Sequence, residues 1–257
     1  MSDLYNNFHK YFEIVEADSE ELLEIVYRIR YRVLCVEQRI PDFDASLYPD
    51  KLEKDYYDSH SSHVLLRFRP SGDFVATVRL ILFDPLQPEK PFPVELYSQL
   101  DPKVCNIGML PRPQIGEVSR FVVVSQFDRR KGNRRNQEIS KVNEINAISE
   151  RREGNSKDRR STPNIALILM AGVVRMSFKY NVRNWVSFMS PALGRLLSYA
   201  HLHCTPIGPL VNYHGLRQPF YVKVDEVLNR MYKEHHGIWE VLTESGKYHP
   251  IQCDEKQ

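Results

Sequence analysis

The chain has 257 residues, of which 42% are hydrophobic and 26% charged, and its formal net charge is +2. That length suits one elaborated α/β domain with room for a real core, and the composition excludes a disordered or wholly membrane-embedded chain. No apolar stretch approaches the roughly 20 residues that span a bilayer, and the N-terminus lacks the basic-then-apolar layout of a signal peptide, so a cytoplasmic protein is expected.

Taken in chain order, SEELLEIVYRIRYRVLCVEQ from Ser19 is the first strongly periodic element. A serine followed by acids opens it, and Leu22, Leu23, Val26, Ile29, Val33 and Val36 recur at helical spacing, which predicts an amphipathic helix. Arg30 sits four residues after Val26, near the apolar face. The stretch IPDFDASLYPDKLEKDYYDSHSS that follows has turn formers and carboxylates but no period, and reads as an ordered loop or lid. HVLLRFR and FVATVRLILF, joined by PSGD, form an antiparallel hairpin interrupted by Arg79. After a proline-rich passage comes the strand GEVSRFVVV at 116–124, with an acid and a base at its mouth.

Residues 128–160 break the pattern, with eleven Lys or Arg against six Asp or Glu and few large apolar side chains. Such a stretch cannot bury enough apolar surface to order itself, and reads as a basic insertion. Regular alternation then resumes: a strongly apolar helix NIALILMAGVVRMSFKY, a strand RNWVSFMS, a helix PALGRLLSYAH opened by proline, a strand RQPFYVKV, and a final helix DEVLNRMYKEHHGIWEVL. The sum is a single domain over 1–257 with a mixed α/β (α+β) sheet and helices on both faces. Cys35, Cys105, Cys204 and Cys253 form no CxxC pair, so reduced thiols are expected, and His201, His203 and Cys204 read as core or loop rather than a metal site.

Arg30, Arg79, Glu117 and Arg120 each place a charge in or beside an element that otherwise looks buried, and buried charges are costly unless paired. The acidic loop offers Glu53, Asp55 and Asp58 as partners, which predicts one ion-pair network clamping the loop to the sheet. On a regular strand Glu117 and Arg120 face opposite ways, and a β-bulge near Ser119 brings them to one side.

Four segments carry a resemblance. RIRYRVLCVEQ at 28–38, LEKDYYD at 52–58, VATVRLIL at 75–82 and EVSRFVV at 117–123, in that order, resemble the autoinducer synthase branch of the GNAT-like acyltransferases. That branch holds the acyl-homoserine-lactone synthases and the long-chain N-acyl amino acid synthases, including acyltransferases associated with exosortase systems. The resemblance implies a GNAT-like sheet and an N-acyltransferase. Its charged set falls on Arg30, Asp55, Asp58, Arg79, Glu117 and Arg120. It implies Glu117 as general base, Arg120 beside it, and the arginines sharing the loop carboxylates and the acceptor's carboxylate. Leu34 stands where the branch has a phenylalanine, and a tryptophan is missing around Ile40, which favours a plain amino acid over S-adenosylmethionine as acceptor. Leu34 and Phe121 are expected to line the pocket. Ser119 has no nucleophilic role, because transfer to an amine needs no acyl-enzyme.

The pyrophosphate cradle of CoA-dependent members is degenerate here, its nearest candidate being RRKGNR at 129–134. The implied donor is therefore the acyl-phosphopantetheine of an acidic acyl carrier protein. That partner would be steered by Arg129, Arg130, Lys131, Arg134 and Arg135. No permanently bound cofactor, metal or nucleic acid is expected, and a lipid product implies transient contact with a membrane. A lactone synthase using S-adenosylmethionine, and a non-catalytic module that docks an acidic protein, are the alternatives.

Overall fold

The computed structural model describes residues 1–127 and 165–250. The basic insertion, with Arg129, Arg130, Lys131, Arg134 and Arg135, and Cys253 lie outside the described residues.

Helix α1 (Asp3–Tyr11) opens the chain, with the Ser2 hydroxyl accepting from the Tyr5 N–H at its N-cap, and leads directly into strand β1 (Phe12–Glu16). Neither element stands out in the sequence, because nine and five residues give too few repeats for a period to show. Helix α2 (Glu20–Tyr31) is capped by Ser19 as its sequence predicts, but residues Arg32–Glu37 continue as a wider π-helical turn. That turn carries Leu34 inward and buries it.

Strands β2 (Ser61–Phe68), β3 (Phe74–Ile81) and β4 (Ile115–Val123) add to β1 in antiparallel order. Between β3 and β4 lies the short helix α3 (Pro93–Tyr97). Strand β5 (Asn184–Met189) then runs parallel to β4, and β8 (Leu216–Lys223) returns antiparallel to β5. Two short strands, β6 (Thr205–Pro206) and β7 (Val211–Asn212), pair with β8. The result is a mixed α/β fold whose sheet runs in the order β1-β2-β3-β4-β5-β8-β6.

Helix α2 and the π-helical turn that continues it pack Val26, Ile29 and Val33 on one face of the sheet, against Leu65, Val122 and Val124. Helix α4 (Ile165–Lys179) covers the other face, against Val64, Leu66, Val78 and Leu80. Its Gly172 lets helix and sheet approach closely: a Cβ there would lie 2.5 Å from a Val64 methyl. Helix α5 (Pro191–Tyr199) follows β5, and α6 (Val224–Glu234) follows β8. The single final helix read from the sequence is two, because His235 leaves helical geometry (φ −140°, ψ 53°) before α7 (His236–Thr243). No described helix is long and apolar enough to cross a membrane.

Two irregularities position the site. The β4–β5 ladder extends only from Ile115 opposite Asn184 to Val118 opposite Ser187, while β4 itself continues to Val123 against β3. From Ser119 onward the edge of β4 that faces β5 therefore has no strand beside it among the described residues. In the β3–β4 ladder Ser119 faces Arg79 and Val122 faces Thr77, so two residues, Arg120 and Phe121, stand opposite Val78 alone. This is a β-bulge, and Arg120 adopts φ +48°, a left-handed conformation unusual for a residue with a long side chain.

Candidate active site

The bulge brings Arg120 onto the face of β4 already occupied by Glu117 and Ser119, and there the charges of the first half of the chain meet. Arg30 on α2 pairs with Glu53 and with both oxygens of Asp58, at 2.7 and 3.1 Å. Arg79 on β3 reaches Asp58 at 2.8 Å and Asp55 at 2.5 Å through one terminal nitrogen, and its Nε donates to the Ser119 hydroxyl at 2.9 Å. Arg120 reaches Asp55 at 2.8 Å and Glu53 at 2.9 Å. Traced through, the contacts close a ring in which cation and anion alternate: Arg30, Glu53, Arg120, Asp55, Arg79, Asp58 and back to Arg30.

The ring is charge-neutral, and half of it is fully buried: Arg30 and Glu53 are 0% exposed and Arg79 is 1% exposed, while Asp55, Asp58 and Arg120 are partly exposed. Its loop side is held by local geometry. The Asp55 side chain accepts the Tyr57 N–H while Asp58 accepts the Asp55 N–H, fixing the turn at Tyr56–His60. Burial alone would raise the Asp58 pKa, but Arg30 and then Arg79 outweigh it and hold the carboxyl below the usual range. His63 lies against Asp58 with both ring nitrogens unbonded and is pushed down to about 3, by burial first and by Arg30 next, so it is neutral.

A group with a depressed folded-state pKa stabilises the fold above its unfolded value and loses that contribution as the pH falls through the folded one. Asp58→Asn is therefore expected to lower the urea midpoint at pH 7. The gap to the unmodified protein should narrow below the free carboxyl value of 3.8, and a gap that stays constant from pH 7 to pH 2 would remove Asp58 from the acid response.

Glu117 is only 2% exposed and stands outside the ring. One of its oxygens accepts the Val94 N–H of α3 at 2.9 Å. Burial pushes its carboxyl up to about 8, against the lowering effects of that bond and of Arg79 and Arg120. A carboxylate near that value can take up and return a proton close to neutral pH.

A cavity of about 290 Å³ opens where β4 and β5 part. Asp55, Arg79, Glu117 and Arg120 line it together with Leu34 and Phe43 from the α2 side, while Met170, Trp185, Leu193, Leu197, Leu202 and Val222 line it from the opposite face of the sheet. The cavity thus passes through the sheet, polar at one end and apolar at the other. Leu34 and Phe121 both line it. Cys204 sits at its apolar end, with the thiol pushed up to about 12 by burial.

The polar end is covered by residues that sequence reasoning missed. The tip of the β7–β8 hairpin places Tyr213 and His214 on the cavity, with His214 Nδ1 2.9 Å from Asp42 and its ring 4.7 Å from that of Phe43. The Arg120 guanidinium lies 4.8 Å from the centroid of the same Phe43 ring. Tyr213 stacks on Tyr97 of α3 at 4.5 Å. The only sequence signal for this tip is the turn residue Gly215, which takes φ +90°.

Residues 29–135 match the family model for an acetyltransferase (GNAT) domain. That span holds the whole ring and Glu117. The fold is that of the GNAT acyltransferases. Among solved structures, the CoA-dependent acyl-homoserine-lactone synthase BjaI superposes with a TM-score of 0.52 at 18% identity, covering 91% of this chain and 88% of that one. The CoA-dependent acyl-homoserine-lactone synthase MesI gives a TM-score of 0.51 at 17% identity, covering 94% and 97%. FeeM, an N-acyl amino acid synthase from uncultured soil microbes, gives 0.49 at 12% identity, covering 85% and 93%. No curated protein matches significantly in sequence. The hairpin at the polar end and the helix α5 at the apolar end lie beyond the matched domain.

Proposed function

We propose that this protein is an N-acyltransferase that moves a fatty acyl group from the phosphopantetheine thioester of an acyl carrier protein to the amine of an amino acid. The observation that carries the reading is the cavity through the sheet, which offers an apolar bed at one end and a buried carboxyl, Glu117, at the other. An amphiphilic substrate with its reacting group between the two ends suits that layout.

In this reading the acyl tail lies among Trp185, Leu193, Leu197 and Val222, and the thioester sits at the gap between β4 and β5. The unpaired edge of β4 can take the pantetheine amides as an added strand, and the bulge at Arg120 and Phe121 turns backbone N–H groups toward the thioester oxygen. Glu117, ionised, removes a proton from the acceptor's ammonium. The freed amine attacks the carbonyl carbon, a C–N bond forms and the nitrogen sheds its second proton to solvent, the C–S bond breaks, and the leaving sulfur takes the proton held by Glu117. The ring holds the loop, β3 and β4 in register around this point. Arg79 and Arg120 each keep one terminal nitrogen outside the ring, suited to a carbonyl oxygen. Carrier-protein docking by Arg129, Arg130, Lys131, Arg134 and Arg135 belongs to the same proposal and rests on their charge.

Incubation with acyl carrier protein or CoA thioesters and a panel of amino acids, with mass spectrometry of the products, tests the reading. Amide products from the carrier thioester support it. Methylthioadenosine released from S-adenosylmethionine would replace the acceptor and make the protein a lactone synthase, and binding of the carrier without transfer would make it a docking module. The apolar end gives a further expectation: Leu193→Trp should cut transfer of long acyl groups roughly tenfold or more relative to short ones, and an unchanged chain-length profile would place the tail elsewhere.

A further inference from the structure

Of the arginines that line the cavity, Arg79 and Arg120 belong to the neutral ring, where three guanidinium groups are matched by three carboxylates. Arg217 is different. It lines the same cavity and is partly buried, yet no carboxylate among the described residues pairs with it. Its one hydrogen bond there runs from Nη1 to the carbonyl of the adjacent Leu216, at 3.2 Å. Burial lowers its pKa, and no carboxylate among the described residues acts to raise it. A guanidinium withdrawn from water without a counter-ion is costly, and an anionic ligand removes that cost.

The backbone around Arg217 is well fixed. Arg217 is opposite Val211 across the β7–β8 ladder, the next residue, Gln218, is opposite Met189 of β5, and the Gln218 amide donates to the Gly208 carbonyl at 3.2 Å. Apart from its bond to the Leu216 carbonyl, the guanidinium therefore has donors without a partner among the described residues, on a strand paired at both edges. It also stands at the polar end: the same hairpin presents Tyr213 and His214 to the cavity, and the charges of both Arg120 and Arg217 act on His214.

We infer that Arg217 is the anchor for the α-carboxylate of the acceptor amino acid, held by its guanidinium fork at the same end of the cavity as Glu117. The inference rests on the acyl-transfer reading for the identity of the anion. In an α-amino acid the ammonium and the carboxylate share one carbon, so the group that takes the proton and the group that holds the carboxylate must serve one end of the site. The planar fork matches a carboxylate with two parallel N–H bonds, which a lysine cannot reproduce. The acceptor's specificity then lies in the second half of the chain, while the ring in the first half supplies structure.

Two measurements test this. In steady-state transfer, Arg217→Gln and Arg217→Lys are expected to raise KM for the amino acid roughly 10- to 100-fold, with KM for the acyl donor unchanged. Amino acid amides, which lack the carboxylate, should be equally poor substrates for the unmodified protein and both variants. A rise in the donor KM instead would assign Arg217 to the phosphate of the pantetheine arm and overturn the proposal, as would an unchanged acceptor KM.

The second measurement needs no turnover: N-dodecanoylglycine and N-dodecanoylglycinamide are compared by thermal shift and calorimetry. The acid is expected to bind the unmodified protein more tightly than the amide, and this preference should vanish in Arg217→Gln. If the preference is present but no acyl transfer occurs with any donor, the anion site stands and the catalytic reading fails. If transfer occurs and the acid and amide bind alike, the anchor fails and the catalytic reading stands.

Discussion

Replacing Glu117 by glutamine is expected to abolish most acyl transfer while making the protein more heat-stable at alkaline pH. Both effects follow from a carboxyl that is 2% exposed and pushed up to about 8 by burial. General-base catalysis contributes about 10²–10⁴-fold, so transfer should fall by that factor. For the stability effect, the folded value is raised above the unfolded 4.5, so the folded state binds the extra proton. The stabilising contribution is complete below the unfolded value and is lost as the pH rises toward the folded value; above it the buried charge is carried at a cost of several kcal/mol.

Glutamine cannot ionise and escapes that loss. The melting temperature of Glu117→Gln should match the unmodified protein at pH 4 and exceed it at pH 9. The transfer rate of the unmodified protein should also rise about tenfold per pH unit below about 8, a slope absent from the residual rate of the variant. Parallel melting curves at all pH values would show that Glu117 is not held neutral by burial, and full turnover by the variant would remove it from the base role.

The largest stability effect is expected at Glu53. It is 0% exposed and joins Arg30 to Arg120, so Glu53→Gln keeps the shape and leaves the ring with a buried excess of positive charge. Removing one partner of a buried ion pair costs about 3–5 kcal/mol. The exposed pair of Arg28 with Glu24 is the control, where Glu24→Gln should cost no more than about 0.5 kcal/mol. Urea unfolding of the two variants compares them directly. A small effect at Glu53 would mean that water reaches the ring and screens it.

The ring was readable in the sequence because each of its arginines interrupts a run that otherwise reads as buried, and a buried charge demands a partner. Arg30 in α2, Arg79 in β3 and Arg120 at the mouth of β4 all announce themselves in this way, and the loop carboxylates were near enough to nominate. The bulge was foreseeable from the odd spacing of Glu117 and Arg120, and falls one residue beyond Ser119. Ser119 itself turns out to accept a hydrogen bond from Arg79.

Arg217 could not be found in this way. It lies beside Gln218 near the start of a strand, where an arginine is unremarkable, and its importance comes from having no carboxylate partner among the described residues, which only three dimensions show. The cavity was equally hidden, since it depends on where the β4–β5 ladder stops rather than on which residues form it. The terminal α1 and β1 and the break at His235 escaped for a simpler reason, being short features decided by packing rather than by local pattern.

The ring also bears on how this half of the chain folds. Its contacts bridge up to 67 positions in sequence, and it gathers α2, the loop at 52–58, β3 and β4 at one point. An open arc of it leaves at least one charge stripped of water without its neighbour, so a state with three of the four segments docked is poorer than a simple loss of contacts implies. Half-assembled forms are thereby penalised, and docking of the four segments becomes close to all-or-none. The ring makes this part of the sheet one cooperative unit rather than a hairpin to which a helix and a loop attach in turn.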